Sequence, residues 1–148
     1  MSIPLQARSG AWQPALELLE PISLVRCCTS PLGRNLCMIV TETAVHVYAT
    51  SDESPNLSFE PVTSFFLGCR ATGASWSPST QHASTAWRIE ILVATETNEL
   101  RLLESVRQGS EASTSNKKLA DTHVRVSDLA WCASVSYTHL RAHETSLH

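Results

Sequence analysis

From Ile22 onward the chain alternates short apolar runs with polar, turn-forming stretches. The runs are rich in Val, Ile, Leu, Thr and Cys, residues that suit a pleated, half-buried surface. They predict strands at Ser23–Thr29, Asn35–Thr41, Ala44–Thr50, Val62–Leu67, Cys69–Trp76, Trp87–Thr95 and Glu99–Glu104. A further strand is expected at Lys118–Thr122, and another begins at Val124–Trp131. The stretches between them, "SPLGRN", "SDESPN", "SPSTQH" and "RQGSEASTSN", carry the Ser, Pro, Asn, Asp and Gly that turns prefer, and are read as turns. No long pattern of helical period competes. Met1 to Pro21 reads as a lead-in broken by Pro4, Pro14 and Pro21; its "ALELLE" fits either a short helix or a strand.

The strands recur in order. "MIVTETAVHVYATS" (Met38–Ser51) resembles "LVATETNELRLLES" (Leu92–Ser105): an apolar strand enters Thr-Glu-Thr and a second strand leaves it. Val45 and Val47 match Leu100 and Leu102 only if the second turn is one residue longer. A strand ending in Trp also recurs, in "GASWSP" at Trp76 and "SDLAWCA" at Trp131, and "CCTSP" reads as a degenerate forerunner. Units of roughly 40–50 residues with four strands each point to an all-β chain built as propeller blades. A four-stranded sheet has two faces to cover, and radial stacking covers both. Middle strands such as "CMIV" and "EILVA" are then free to be apolar on both sides. A β-sandwich also uses many short strands, but it gives no reason for Thr-Glu-Thr and Trp to recur at matching places. The expected units are a lead-in (1–21), a first blade (22–67), a second blade (68–122) and the first strand of a third (123–134).

The second unit carries a more specific string. "FFLGCRATGASWSP" (Phe65–Pro78) has the form F-x-x-G-x-R-x-x-G-x-x-W-S-P, and "WRIEILVATETNELRLLES" follows after a long turn. Over Ile22 to Ala133 the chain resembles the WD-repeat family, and within it the small WD-repeat nucleoporins of the nuclear pore's Y-shaped outer-ring complex. The resemblance implies an N-terminal fragment of a WD40-type propeller. Gly68, Arg70, Gly73, Trp76, Pro78 and Trp131 would be its blade anchors. It further implies a non-catalytic scaffold at the nuclear envelope that docks on a larger α-solenoid nucleoporin, with other Y-complex nucleoporins as partners. Neither direct nucleic-acid binding nor membrane insertion is implied. An adaptor of another intracellular complex would share the fold. The match departs from the family in places: Tyr48-Ala49 and Leu103-Glu104 stand where Trp-Asp closes many repeats, no Gly-His pair precedes Trp76, and His123 lies one position too close to Trp131.

Composition narrows the alternatives. The 148 residues suffice for one domain, the formal net charge is −3, and Lys117-Lys118 is the only basic doublet. A nucleic acid or anionic membrane therefore finds little electrostatic attraction. The N-terminal Leu cluster is interrupted by Glu17 and Glu20, so no signal peptide is read, and no apolar run reaches the ~18 residues of a spanning helix. The five cysteines are odd in number and contain no C-x-x-C, which argues against a zinc ribbon or a disulfide framework and for free thiols in a reducing compartment. Cys27 and Cys28 are expected to point to opposite faces of a strand. No phosphate-cradling loop or nucleophile elbow is present. The remaining chemistry-bearing groups are Cys27-Cys28, the set Asp121, His123 and Asp128, and the tail histidines. Asp121 and His123 share a face if both lie in a strand. No catalytic, cofactor or metal residue is assigned. Trp87, opening a strand beside Arg88, is the candidate partner contact.

The tail raises a separate question. His139 and His143 would share a helical face and, with Glu144, suggest a metal-binding or hydrolytic site. The zincin pattern requires Glu directly after the first His, and Leu140 stands there. Val135 to Thr145 instead resembles, residue for residue, the translation of a transposase mosaic-end adapter used in sequencing libraries. On that resemblance 135–148 is an artifactual, disordered tail, and such segments are set aside before fold reasoning.

Overall fold

The computed structural model describes residues 16–51, 58–132 and 139–142. The described chain is all-β and antiparallel, and no helix occurs among the described residues. Four strands, β1 (Ile22–Cys27), β2 (Leu36–Thr41), β3 (Ala44–Ser51) and β4 (Ser58–Phe66), form a meander in the order β1-β2-β3-β4. A second meander follows with β5 (Ala71–Trp76), β7 (Ala86–Thr95), β8 (Glu99–Gln108) and β9 (Glu111–Asp121). A short strand, β6 (Gln81–Ala83), pairs with the first part of β7. β10 (Leu129–Cys132) pairs with β11 (His139–Ala142). The two meanders span Ile22–Phe66 and Ala71–Asp121.

The two repeated turns differ as the sequence comparison requires. Glu42-Thr43 joins β2 to β3, and Glu96-Thr97-Asn98 joins β7 to β8. The extra residue, Asn98, takes φ +62°, the left-handed conformation that closes a three-residue hairpin loop and that Asn tolerates.

Packing proceeds in series. One face of the first sheet (Leu36, Met38, Val40, Val45, Val47, Phe65) meets one face of the second (Trp76, Ile89, Ile91, Val93, Leu103) in a shared core. The opposite face of the second sheet, with Leu92, Ala94 and Leu100, is covered by Val126, Leu129 and Trp131. The opposite face of the first sheet, with Cys37, Ile39, Tyr48 and Phe59, is covered by Leu16 and Leu18. Middle strands buried on both faces explain the unbroken apolar runs: all six residues of β2 are buried, and so are the last five of β7. Residues 16–20 are in neither helix nor strand, yet they dock. The Glu20 carboxylate accepts hydrogen bonds from the Thr43 hydroxyl (2.8 Å) and the Thr43 amide (3.2 Å). These bonds hold its carboxyl below the usual carboxylate range, together with one from Thr41, the largest contribution.

Several sequence expectations need correction. "RQGSEASTSN" is not a loop: only Gly109-Ser110 turn, and β8 and β9 run on to meet there. Gly109 at φ +63° as first central residue suits a two-residue hairpin turn. β9 is a solvent-facing edge strand, so it carries no apolar face and its Ser/Thr-rich sequence reads as a turn. "SPSTQH" contains the start of β6, too short and polar to show a period. The strand expected at Val124–Trp131 begins only at Leu129. Asp121 and His123 do not share a strand face: Asp121 ends β9 and pairs with Lys118 at 2.9 Å, and exposed His123 lies beyond it at φ +64°. The tail expected to be disordered places His139–Ala142 in β11; its other residues, like the "SDESPN" turn beyond Ser51, lie outside the described residues.

Candidate partner-binding surface

The residues singled out around "GCRATGASWSP" come together at the junction between sheets. Gly68 follows β4 at φ +75°, and its amide donates to the Thr43 carbonyl at 3.1 Å. Arg70 lies between the two repeated turns. Its guanidinium is 3.8 Å from Glu42, and its amide donates to the Glu96 carboxylate at 3.0 Å. The glutamates of both Thr-Glu-Thr turns thus converge on one residue, which sequence comparison did not reveal. Gly73 faces the segment before β10: a Cβ there would stand 3.4 Å from the Asp128 Cα, so a methyl would just fit and a branched side chain would not. The buried Ser30 hydroxyl donates to the Thr80 carbonyl (2.6 Å), with the Pro78 carbonyl 3.1 Å away, and so ties the two sheets together.

The two strand-ending tryptophans make the same bond. Trp76 on β5 donates its indole N–H to the Arg26 carbonyl on β1 at 3.1 Å. Trp131 on β10 donates to the Ser75 carbonyl on β5 at 3.3 Å. Each ring fills a core while its one polar atom fastens the first strand of its own sheet to the first strand of the sheet before. Trp76 is 8% exposed and Trp131 is half-buried. Arg26 also lies 3.7 Å from Asp128, so β1 and the approach to β10 converge beside β5.

Trp87, the candidate partner contact, is half-buried. Directly opposite it are His82 on β6 and Arg107 on β8. The imidazole stacks on the indole with centroids 5.7 Å apart, and the Arg107 guanidinium carbon sits 5.3 Å from the ring centroid. The indole N–H donates to the buried Ser105 hydroxyl at 3.0 Å. This His82–Trp87–Arg107 ladder is the wall shared by two surface grooves. One, of ≈490 Å³, is completed by Leu32 and Val106, and the other, of ≈410 Å³, by Glu60 and Pro61. Sequence reading found Trp87 but missed His82 and Arg107, because β6 and the full reach of β8 were both hidden in turn-like sequence.

The electrostatics of the ladder follow from its packing. Burial lowers the His82 pKa, against the opposing field of Glu60, so the ring is held neutral. The Asn35 side-chain amide lies 3.2 Å from the His82 Nδ1 and ties β6 to the segment before β2. Beside the ladder, Glu90 and Glu104 face each other across β7 and β8, and Arg88 bridges them at 3.2 and 3.1 Å. Burial works against Glu90 ionising, but hydrogen bonds from Ser79 and its neighbours and the Arg88 charge outweigh it and leave its carboxyl below the usual range. No group of three or more His, Cys, Asp or Glu side chains positioned for a metal occurs among the described residues. The surface offers an aromatic ring and a guanidinium between rims of mixed polar and apolar residues. Compared with protein-family models and with curated proteins, the chain matches none.

Proposed function

We propose that the chain is a non-catalytic WD-repeat scaffold, its two meanders being successive blades of a propeller, and that it serves the nuclear pore's outer-ring complex by docking on a larger α-solenoid nucleoporin. The observation that carries the fold reading is the repeated indole-to-carbonyl bond, with Trp76 fastening the second sheet to the first and Trp131 fastening the next strand to the second. Burial of the second sheet on both faces favours radial stacking over a two-sheet sandwich, whose outer faces meet solvent. The nucleoporin assignment rests on the "G-x-R…W-S-P" string of Gly68 to Pro78. The exposed rim of the Trp87 ladder is the first surface to test as the docking contact.

Affinity purification of the tagged protein from cells separates the readings. Recovery of outer-ring nucleoporins, reduced by Trp87→Ala in a chain that still folds, supports the proposal. Recovery of a different assembly would assign the chain to another WD-repeat adaptor.

A further inference from the structure

We infer that Cys27 and Cys37 form a peroxide-oxidisable pair that closes a disulfide across β1 and β2. The two residues are directly opposed in the antiparallel ladder. The Cys28 amide donates to the Leu36 carbonyl at 2.9 Å, the bond flanking the pair, so the cysteines occupy a narrow, non-hydrogen-bonded position. Side chains at such positions share a face, with Cα atoms roughly 4.5 Å apart, inside the range that disulfides span (about 4.4–6.8 Å). β1 is an edge strand with β2 as its one hydrogen-bonded neighbour, so closing the pair distorts no second ladder.

Cys28 and Cys69 are placed differently. Cys28 is buried in the core between the sheets, its sulfur packed near Gly33, and Cys69 stands half-buried at the entry to the second sheet. Cys27 is exposed and open to a small oxidant, while Cys37 is buried under Tyr48 and its neighbours. Burial, and then the adjoining Cys27, push the Cys37 thiol up to about 11, so Cys37 does not react by itself. The division of labour follows. The Cys27 thiolate attacks one peroxide oxygen, the O–O bond breaks, and hydroxide leaves behind a sulfenic acid. The Cys37 sulfur, losing its proton, then attacks the Cys27 sulfur; the S–O bond breaks and water departs. Overall two thiols and one hydrogen peroxide give one disulfide and two waters. The product would staple β1 to β2 across the "SPLGRN" turn.

The test is peptide mapping of the full chain after treatment with one equivalent of hydrogen peroxide, alkylation of the remaining thiols and digestion. The expected product is a Cys27–Cys37 crosslink that dithiothreitol reverses, with Cys28 and Cys69 still alkylated. Cys27→Ser, at an exposed position, should abolish the crosslink and leave Cys37 reduced. The same treatment of denatured chain should scatter oxidation among all five cysteines. Sulfinic or sulfonic Cys27 beside a free Cys37 would overturn the inference. So would crosslinks of Cys27 to any other cysteine or between chains.

Discussion

Replacing Trp76 by Phe tests the link between the sheets most directly. The substitution keeps an aromatic ring in the shared core and deletes the indole N–H that reaches the Arg26 carbonyl at 3.1 Å. A typical hydrogen bond contributes about 0.5–1.5 kcal/mol net, and an acceptor left dry costs about 1–3 kcal/mol. The bond is part-buried, so water can reach the abandoned carbonyl to some extent and the lower half of that range applies. The smaller ring adds a further loss of packing. The expected destabilisation is about 1–2 kcal/mol for Trp76→Phe, against about 3–5 kcal/mol for Trp76→Ala, which also opens a cavity. In urea unfolding, with a slope of about 2 kcal/mol per molar, the Phe variant should shift the midpoint down by roughly 0.5–1 M. Trp131→Phe, at a half-buried ring with a longer 3.3 Å bond, should cost less. A Trp76→Phe midpoint indistinguishable from the parent's, or a larger loss from Trp131→Phe, would refute the view that Trp76 fastens the two sheets.

Other consequences can be measured in the same way. His82 has a folded pKa below its unfolded value of about 6.5, so the unfolded chain takes up the proton more readily; stability is full above that pH and is lost as pH falls from there through the folded pKa. Urea midpoints between pH 7.5 and 5.5 should therefore fall further for the parent than for His82→Gln, and equal slopes would count against a buried neutral ring. Arg88→Gln removes the cation between Glu90 and Glu104, so stability should drop at neutral pH and the gap from the parent should close under acid conditions as the carboxylates protonate; a pH-independent gap would point to packing instead. Gly68→Ala should cost about 1–2 kcal/mol because φ +75° is left-handed, and an added Cβ would meet only the Phe66 ring at an ordinary 3.7 Å, which leaves backbone strain as the cause. Thermal unfolding that matches the parent would show that the turn relaxes.

Much of the chain's local structure is determined by sequence alone. The alternating and doubly apolar runs place β2, β3, β5, β7 and the start of β8, because side chains on a strand must satisfy one or both faces at once. The comparison of the two Thr-Glu-Thr turns even supplies the extra residue later seen as Asn98 at φ +62°. The same logic fails where a strand has no face to bury. β9 lies on a solvent-facing edge and β6 is three residues long, so neither leaves an apolar period, and both hide in Ser/Thr-rich sequence. Everything that depends on distant approach was decided by the tertiary structure. It chose which carbonyl each indole meets, brought Glu42 and Glu96 onto Arg70, and set His82 and Arg107 against Trp87. It also placed Cys27 opposite Cys37, whereas their neighbour Cys28 faces another core. A linear pattern records what each residue must do with its nearest neighbours in the chain. Register and sheet stacking choose the partners that lie far away in sequence, and the candidate surface is made of those partners.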